Sequence, residues 1–193
     1  PKFVESPPLK VAGAYGLYLY VDGARLATAL TSKNNNLSIR ELSELVDAFY
    51  IGGTKNGLLL GEGLVVINDD LKQDLRYSIK QFGGMYSKGF VNGVQFKTLF
   101  TNNLFYEIGK QENELAETLY NSLLNIGVKF LYPQDTNQIF PIFKNEVIEK
   151  LKEHLMFEMW EVGEEQSVIR FVTHPKLTIE DINKTIEVIK KYI

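Results

Sequence analysis

Short apolar runs alternate with amphipathic stretches along the first half of the chain. The run at residues 17–21 is followed by an aspartate, and the run at 48–51 is followed by two glycines. The run at 64–67 is followed by an asparagine and two aspartates. Continuous apolar runs of this length are typical of strands that are buried on both faces of a parallel sheet. The pattern therefore predicts buried, mostly parallel strands in this half.

Helices are predicted between and after these runs. Ser38 and Glu41 have the spacing of a capping box, which begins a helix. Residues 71–80 and 90–110 are predicted to form two further helices. The alternation of short apolar strands with helices indicates an α/β architecture.

The pattern changes near Gly109 and predicts a smaller α+β domain after it. Amphipathic helices are predicted over residues 112–125 and 145–155, and a third is predicted after a second capping box at Thr178. Strands are predicted over residues 139–143 and 167–173. Pro141 predicts an edge position for the first of these strands, because proline has no backbone N–H to donate. We therefore expect two domains, residues 1–108 and 109–193.

Composition and charge narrow the function classes. The 193 residues include 21 lysines and arginines against 24 acids, so no basic excess favours a nucleic-acid or membrane partner. Cysteine is absent and there are two histidines, which excludes thiolate zinc sites, cysteine nucleophiles and three-histidine metal sites. No run is long enough to span a bilayer, and the proline- and charge-rich first ten residues are atypical of a signal peptide. We expect a cytoplasmic protein that uses no metal.

Lys55 lies in a glycine-rich segment, residues 52–57, between two apolar runs. The Asn-Gly pair at its end is a strong turn signal, so a hairpin loop is the simplest interpretation. The order of residues in a phosphate-binding loop is absent. Burial in such a turn would favour a neutral amine, which attacks carbonyl groups to form a Schiff base. We therefore expect Lys55 to be buried and to be a candidate nucleophile.

Asp22 directly follows the first apolar run, and Arg25 comes three positions later. Ligands of open α/β sheets bind at the carboxyl ends of the strands, which makes both residues candidate binding groups. Alternatively, Asp22 accepts backbone hydrogen bonds and Arg25 pairs with it. The planar guanidinium of Arg25 is also suited to a substrate carboxylate.

Three segments, taken in order, resemble a known enzyme family. They are VDGARL at residues 21–26, GGTKNG at 52–57 and IRFVTH at 169–174. This set is similar to the low-specificity threonine aldolases, which belong to the β-eliminating lyase group of enzymes that use pyridoxal phosphate (PLP). Weaker similarities lie at residues 80–88 and 135–137, and the resemblance extends from about residue 12 to the end of the chain.

The resemblance implies the fold of PLP-dependent transferases (fold type I), here a partial large-domain sheet followed by a smaller α+β C-terminal domain. It implies that Lys55 forms the Schiff base with PLP and that Asp22 lies under the pyridine nitrogen. Arg25 and Arg170 are implied to bind the substrate α-carboxylate, and Arg25 also borders the cofactor. Lys80 and Lys88 are implied to bind the cofactor phosphate of a neighbouring subunit.

The implied reaction cleaves threonine-like β-hydroxy-α-amino acids to glycine and an aldehyde. Two alternatives on the same scaffold are β-elimination and racemisation, and a third is a truncated, non-catalytic domain. The resemblance also implies a homo-oligomer, either a dimer or a tetramer. No counterpart of the family's first part is recognisable before Asp22. We therefore expect this chain to be the C-terminal portion of a longer polypeptide, or to work with a companion N-terminal segment. In either case we expect little activity from the chain alone.

Overall fold

The computed structural model describes residues 7–193, which form two compact units. The first unit contains the chain up to Leu30 and Asn35–Ile108, and the second contains Thr31–Asn34 and Gly109–Ile193. A long helix, Leu104–Asn125, runs through the boundary between them. The change of unit therefore falls inside a helix and not in an irregular linker. No helix within residues 7–193 is both long and apolar enough to cross a membrane.

A three-stranded sheet forms the centre of the first unit. Its strands are β1 (Tyr20–Val21), β2 (Ala48–Gly52) and β3 (Glu62–Val66). β2 lies in the middle, parallel to β1 and antiparallel to β3. The helices are α1 (Pro7–Tyr15), α2 (Leu26–Leu30), α3 (Ile39–Leu45), α4 (Leu75–Gln81), α5 (Phe90–Leu99) and the first turns of α6 (Leu104–Asn125).

The burial of the first apolar run and the pairing of the strands both differ from the prediction. Only two residues of the run form β1, and Leu17, Tyr18 and Tyr20 are each more than half exposed. Because Tyr20 is more than half exposed, the prediction that the run is buried on both faces is wrong, and among the described residues β1 pairs with β2 alone. The connection from β2 to β3, residues 53–61, is too short for a parallel crossover, which makes that pair antiparallel.

Left-handed residues determine where two of the predicted helices begin and end. The helix predicted over 90–110 is broken after α5, because Asn102 and Asn103 have φ angles of 53° and 60°. Asp74, with φ of 53°, likewise delays the start of α4. Asparagine and aspartate adopt this conformation more readily than other residues with a side chain. Continuous hydrophobic spacing alone does not reveal such breaks.

An antiparallel sheet and three helices build the core of the second unit. The strands are β4 (Lys129–Phe130), β5 (Gln138–Ile139), β6 (Pro141–Lys144), β7 (Glu158–Glu161) and β8 (Gln166–Val172). The helices are the rest of α6, α7 (Asn145–Leu151) and α8 (Ile179–Lys190). Leucines of α6 and isoleucines of α8 pack in one cluster with buried residues of β5, β6 and β8. Both predicted capping boxes are present, at Ser38 and at Thr178.

Pro141 occupies an internal strand, so its predicted edge position is wrong. β6 has β4 on one side and β8 on the other. β5 and β6 pair with β8 at the same offset, and the pairing is interrupted at Phe140 and Pro141. The interruption accommodates the missing N–H of proline without moving the strand to an edge.

Acid is expected to destabilise the first unit partly through Asp47. Its carboxylate accepts hydrogen bonds from the Asn68 side chain and the Leu19 backbone N–H, both at 2.7 Å, and these bonds hold the pKa of Asp47 below its ordinary value. A depressed pKa contributes stability above the unfolded value of about 3.9, and this contribution is lost as the pH falls through the folded value.

We therefore compare how much the stability falls when the pH is lowered from 5 to 2, as measured by urea unfolding midpoints. The fall should be smaller in Asp47→Asn than in the unchanged chain. Asp70→Asn, an exposed acid in the same region, serves as the control. Equal acid sensitivity of Asp47→Asn and the unchanged chain would contradict the assignment.

Candidate active site

The turns that follow β1 and β2 lie against each other in the first unit. The backbone N–H of Gly52 donates to the carbonyl of Gly23 at 2.9 Å. A Cβ added at Gly23 would lie 1.8 Å from the Tyr50 carbonyl oxygen, and one at Gly52 would lie 2.3 Å from the Ala24 carbonyl oxygen. No side chain fits at either position, so the glycines allow the turn that holds Asp22 to approach the turn that holds Lys55.

The Asn56 side chain joins these two turns. It is 1% exposed, and its Oδ1 accepts from the Ala27 backbone N–H at 3.3 Å. Its Nδ2 donates to the carbonyls of Ala24, at 3.3 Å, and Gly52. The sequence marked Asn56 only as half of a turn signal. Its burial depends on a turn that lies about thirty positions earlier in the chain, and no local pattern reports it.

Lys55 is exposed, so the prediction that it is buried is wrong. Thr54–Asn56 forms a 3-10 turn, in which consecutive side chains point about 120° apart. Since Asn56 takes the inward direction, Lys55 points outward. The amine is therefore open to a ligand that arrives from solvent.

Asp22 lies in the same cluster and carries a perturbed carboxylate. Its Oδ1 accepts from the Tyr50 hydroxyl at 2.5 Å and from the Ala24 backbone N–H at 3.0 Å. These two hydrogen bonds hold the pKa of Asp22 below its usual range, and the positive charge of Lys55 contributes to the same shift.

Sequence reasoning missed Tyr50, which lies in the middle of a predicted strand. The hydrogen bond to the Asp22 carboxylate raises the pKa of the Tyr50 phenol to about 12. The ring of Tyr20 stacks on that of Tyr50, with centroids 6.2 Å apart and planes inclined by 22°. One signal was available, because alternation places Tyr50 on the opposite face from its buried neighbours Phe49 and Ile51.

The remaining candidates of the first unit lie at the ends of helices. Arg25 is half-buried and directly precedes α2, and its carbonyl accepts from the Thr28 hydroxyl at 3.0 Å. Lys80 lies in the last turn of α4, and Lys88 lies shortly before α5; both are exposed. Their roles toward a substrate carboxylate and a cofactor phosphate stay predictions.

Arg170 belongs to the second unit, where it lies on β8. It donates to the Gln138 side chain at 3.0 Å and forms an ion pair with Glu158. Its guanidinium carbon lies 5.3 Å from the centroid of the Trp160 ring. The Nε atom is buried, without a hydrogen-bond partner among the described residues. The side chain is thus held on several sides and retains one unused donor, and its role toward a carboxylate stays a prediction.

Among known proteins, the beta-eliminating lyase family model matches residues 9–146. Low specificity L-threonine aldolases from Pseudomonas aeruginosa and from a Pseudomonas species are each 28% identical over 138 residues. That alignment covers 71% of this chain and 40% of each relative. The chain therefore spans less than half the length of the curated relatives that it matches.

Solved structures agree with the sequence matches. A Leishmania major threonine aldolase is 36% identical, with a TM-score of 0.90 over 95% of this chain and 54% of its own. Sphingomonas wittichii serine palmitoyltransferase and Catharanthus roseus tryptophan decarboxylase, both 13% identical, have TM-scores of 0.66 and 0.70 over 95% of this chain and 49% and 44% of theirs. The two enzymes that are 13% identical show a shared fold only. The structural matches confirm the predicted PLP-dependent transferase-like architecture. This chain belongs to the beta-eliminating lyase family.

Proposed function

We propose that this chain supplies part of the active site of a PLP-dependent carbon–carbon lyase that cleaves threonine-like β-hydroxy-α-amino acids to glycine and an aldehyde. The observation that carries the proposal is the close approach of the turn that holds Asp22 to the turn that holds the exposed Lys55, where the Gly52 N–H donates to the Gly23 carbonyl at 2.9 Å. The threonine aldolases among the similar proteins support this reaction over others.

The residues of the cluster fit pyridoxal phosphate on chemical grounds. The cofactor has an aldehyde and a basic ring nitrogen. Lys55 offers an accessible amine that would bind the aldehyde, and Asp22 offers a carboxylate that would pair with the ring nitrogen. When bound, the cofactor withdraws electrons from the bond that breaks at the substrate Cα.

Arginine and lysine side chains would hold the charged ends of substrate and cofactor. Arg25 and Arg170 are proposed to bind the substrate α-carboxylate, since a planar guanidinium donates two parallel hydrogen bonds to it. Lys80 and Lys88 are proposed to neutralise the cofactor phosphate of a neighbouring subunit. Together these contacts would orient the substrate for bond cleavage.

A homo-oligomer is proposed as the working form. Large apolar side chains are exposed on the segment from α4 to α5, including Tyr77 at 76%, Phe82 at 86% and Phe90 at 68%. Apolar surface concentrated in one segment is typical of a protein interface. A second copy of this chain, or a companion N-terminal segment, would cover it.

Covalent labelling tests the proposed function. The purified protein is incubated with pyridoxal phosphate, reduced with borohydride and digested, and the modified peptide is identified by mass spectrometry. We expect a pyridoxyl group on Lys55 and its loss in Lys55→Ala, whereas Lys97→Ala, which removes an exposed lysine of α5, keeps the label. Labelling spread evenly over the surface lysines would contradict the proposal.

Product analysis separates the two reactions that the family match leaves open. Incubation with threonine should release acetaldehyde and glycine if the enzyme is an aldolase. The family model, which describes β-eliminating lyases, favours β-elimination as the second candidate. Pyruvate from serine, with no acetaldehyde from threonine, would select that reaction instead.

A further inference from the structure

We propose that Tyr50 is a positioning residue, which fixes the Asp22 carboxylate so that its Oδ2 atom is the oxygen offered to the ring nitrogen of the bound cofactor. This inference rests on the proposed function, because it assigns a purpose to the orientation of Asp22. It concerns a residue that none of the sequence motifs contains. The side chain acts on the reaction through Asp22 and not by contact with substrate.

The hydrogen bonds of Asp22 are unevenly divided between its two oxygens. The hydroxyl of Tyr50 and the backbone N–H of Ala24 both donate to Oδ1, at 2.5 Å and 3.0 Å. Two donors on one oxygen fix the rotation of the carboxyl group about its Cβ–Cγ bond. Oδ2 is thereby given a defined direction, as recognition of a single N–H donor requires.

Exposure makes this restraint necessary. Asp22 is exposed, so packing does not restrict its side-chain torsions. The Ala24 bond joins Asp22 to its own turn, two residues along the chain, and a local bond of this kind tolerates several rotamers. Tyr50, which lies on a different strand, adds a restraint from outside the turn.

Tyr50 is well placed to act as a fixed point. It lies on β2, the central strand, opposite Leu64 of β3, and its ring stacks on Tyr20 of β1. Both neighbouring strands therefore limit the movement of the phenol. A donor on the central strand transmits the rigidity of the sheet to the exposed carboxylate.

The charged and titratable groups around the pair come from each neighbouring element. Lys55 lowers the pKa of Asp22 from the turn after β2, while Glu62 of β3 and Tyr20 of β1 help to raise the pKa of Tyr50. The direct bond between Tyr50 and Asp22 is the largest cause of both shifts. Removing the hydroxyl should therefore change the titration of Asp22 more than removing any neighbour.

The test begins with the ligand-free protein. The Asp22 carboxyl carbon is followed by NMR as the pH is lowered, in the unchanged chain, in Tyr50→Phe and in the matched control Tyr20→Phe. We expect the midpoint to rise in Tyr50→Phe and to move much less in Tyr20→Phe. In the reciprocal measurement, by ultraviolet absorbance, Asp22→Asn should bring the Tyr50 ionisation down toward the ordinary phenol value of about 10. An unchanged Asp22 midpoint in Tyr50→Phe would overturn the inference.

The second part of the test uses pyridoxal phosphate itself. We expect Tyr50→Phe to weaken its binding about tenfold, the effect of one charged hydrogen bond, while Lys55 still takes the borohydride-reducible label. Equal affinity in Tyr50→Phe and the unchanged protein would overturn the inference and leave the proposed function intact. If the unchanged protein does not label Lys55, the proposed function fails, and with it the purpose assigned to Tyr50.

Discussion

Replacing Gly23 by alanine should lower the free energy of unfolding of the first unit by roughly 3 kcal/mol, the upper end of the cost of overpacking a well-packed site. The added methyl would lie 1.8 Å from the Tyr50 carbonyl oxygen, which belongs to the central strand and has little freedom to move. Relief requires the turn that carries Asp22 to separate from β2. The substitution should therefore also weaken the hydrogen bond between Tyr50 and Asp22.

Gly93→Ala is the matched control for this prediction. Gly93 lies within α5, and outside its own stretch of helix backbone no described atom lies within 4 Å of the position that its Cβ would take. Alanine at an exposed helical position is expected to stabilise by about 0.5–1 kcal/mol relative to glycine. Urea unfolding of both variants measures the difference. If Gly23→Ala matches Gly93→Ala in stability, the two turns do not approach as closely as the structure describes.

Removing the Asn56 side chain should have an effect of similar size. Asn56→Ala deletes three interior hydrogen bonds, to Ala27, Ala24 and Gly52, each worth about 1 kcal/mol net and more where a buried partner stays unsatisfied. We expect a loss of about 3 kcal/mol in unfolding free energy. Hydrogen exchange of the amides in residues 23–27 and 52–57 should accelerate before that of the α3 amides.

Asn36→Ala is the control for this substitution, since Asn36 is exposed in the first unit. Its change in unfolding free energy should stay within about 0.5 kcal/mol. Labelling of Lys55 by pyridoxal phosphate should fall in Asn56→Ala and not in Asn36→Ala, because Asn56 determines the direction of its neighbour. Unchanged exchange at residues 23–27 in Asn56→Ala would show that the two turns are joined by other contacts.

The sequence was informative wherever a signal is local. Both capping boxes are confirmed, because a hydroxyl and an acid three positions apart satisfy the same helix terminus in any surroundings. The existence and type of most elements are also confirmed, since burial of one face imposes a period on the chain. The ordered motifs around Asp22, Lys55 and Arg170 were sufficient to suggest the family.

Errors arose where distant segments determine the outcome. The missing N–H of Pro141 predicts an edge position, whereas an interruption of the pairing with β8 accommodates the residue inside the sheet. The apolar run before Asp22 predicts burial, whereas Tyr20, on the outermost of the described strands, is more than half exposed.

The sequence by itself determined which chemical groups are present, in what order, and on which kinds of element. Only the tertiary structure decided that Asn56 points inward, that Lys55 points outward, and that Tyr50 holds Asp22. The physical reason is that a side chain's direction in a short turn depends on what that turn packs against. Here that partner is a glycine turn about thirty residues away, and its close approach leaves no signature in the local hydrophobic pattern.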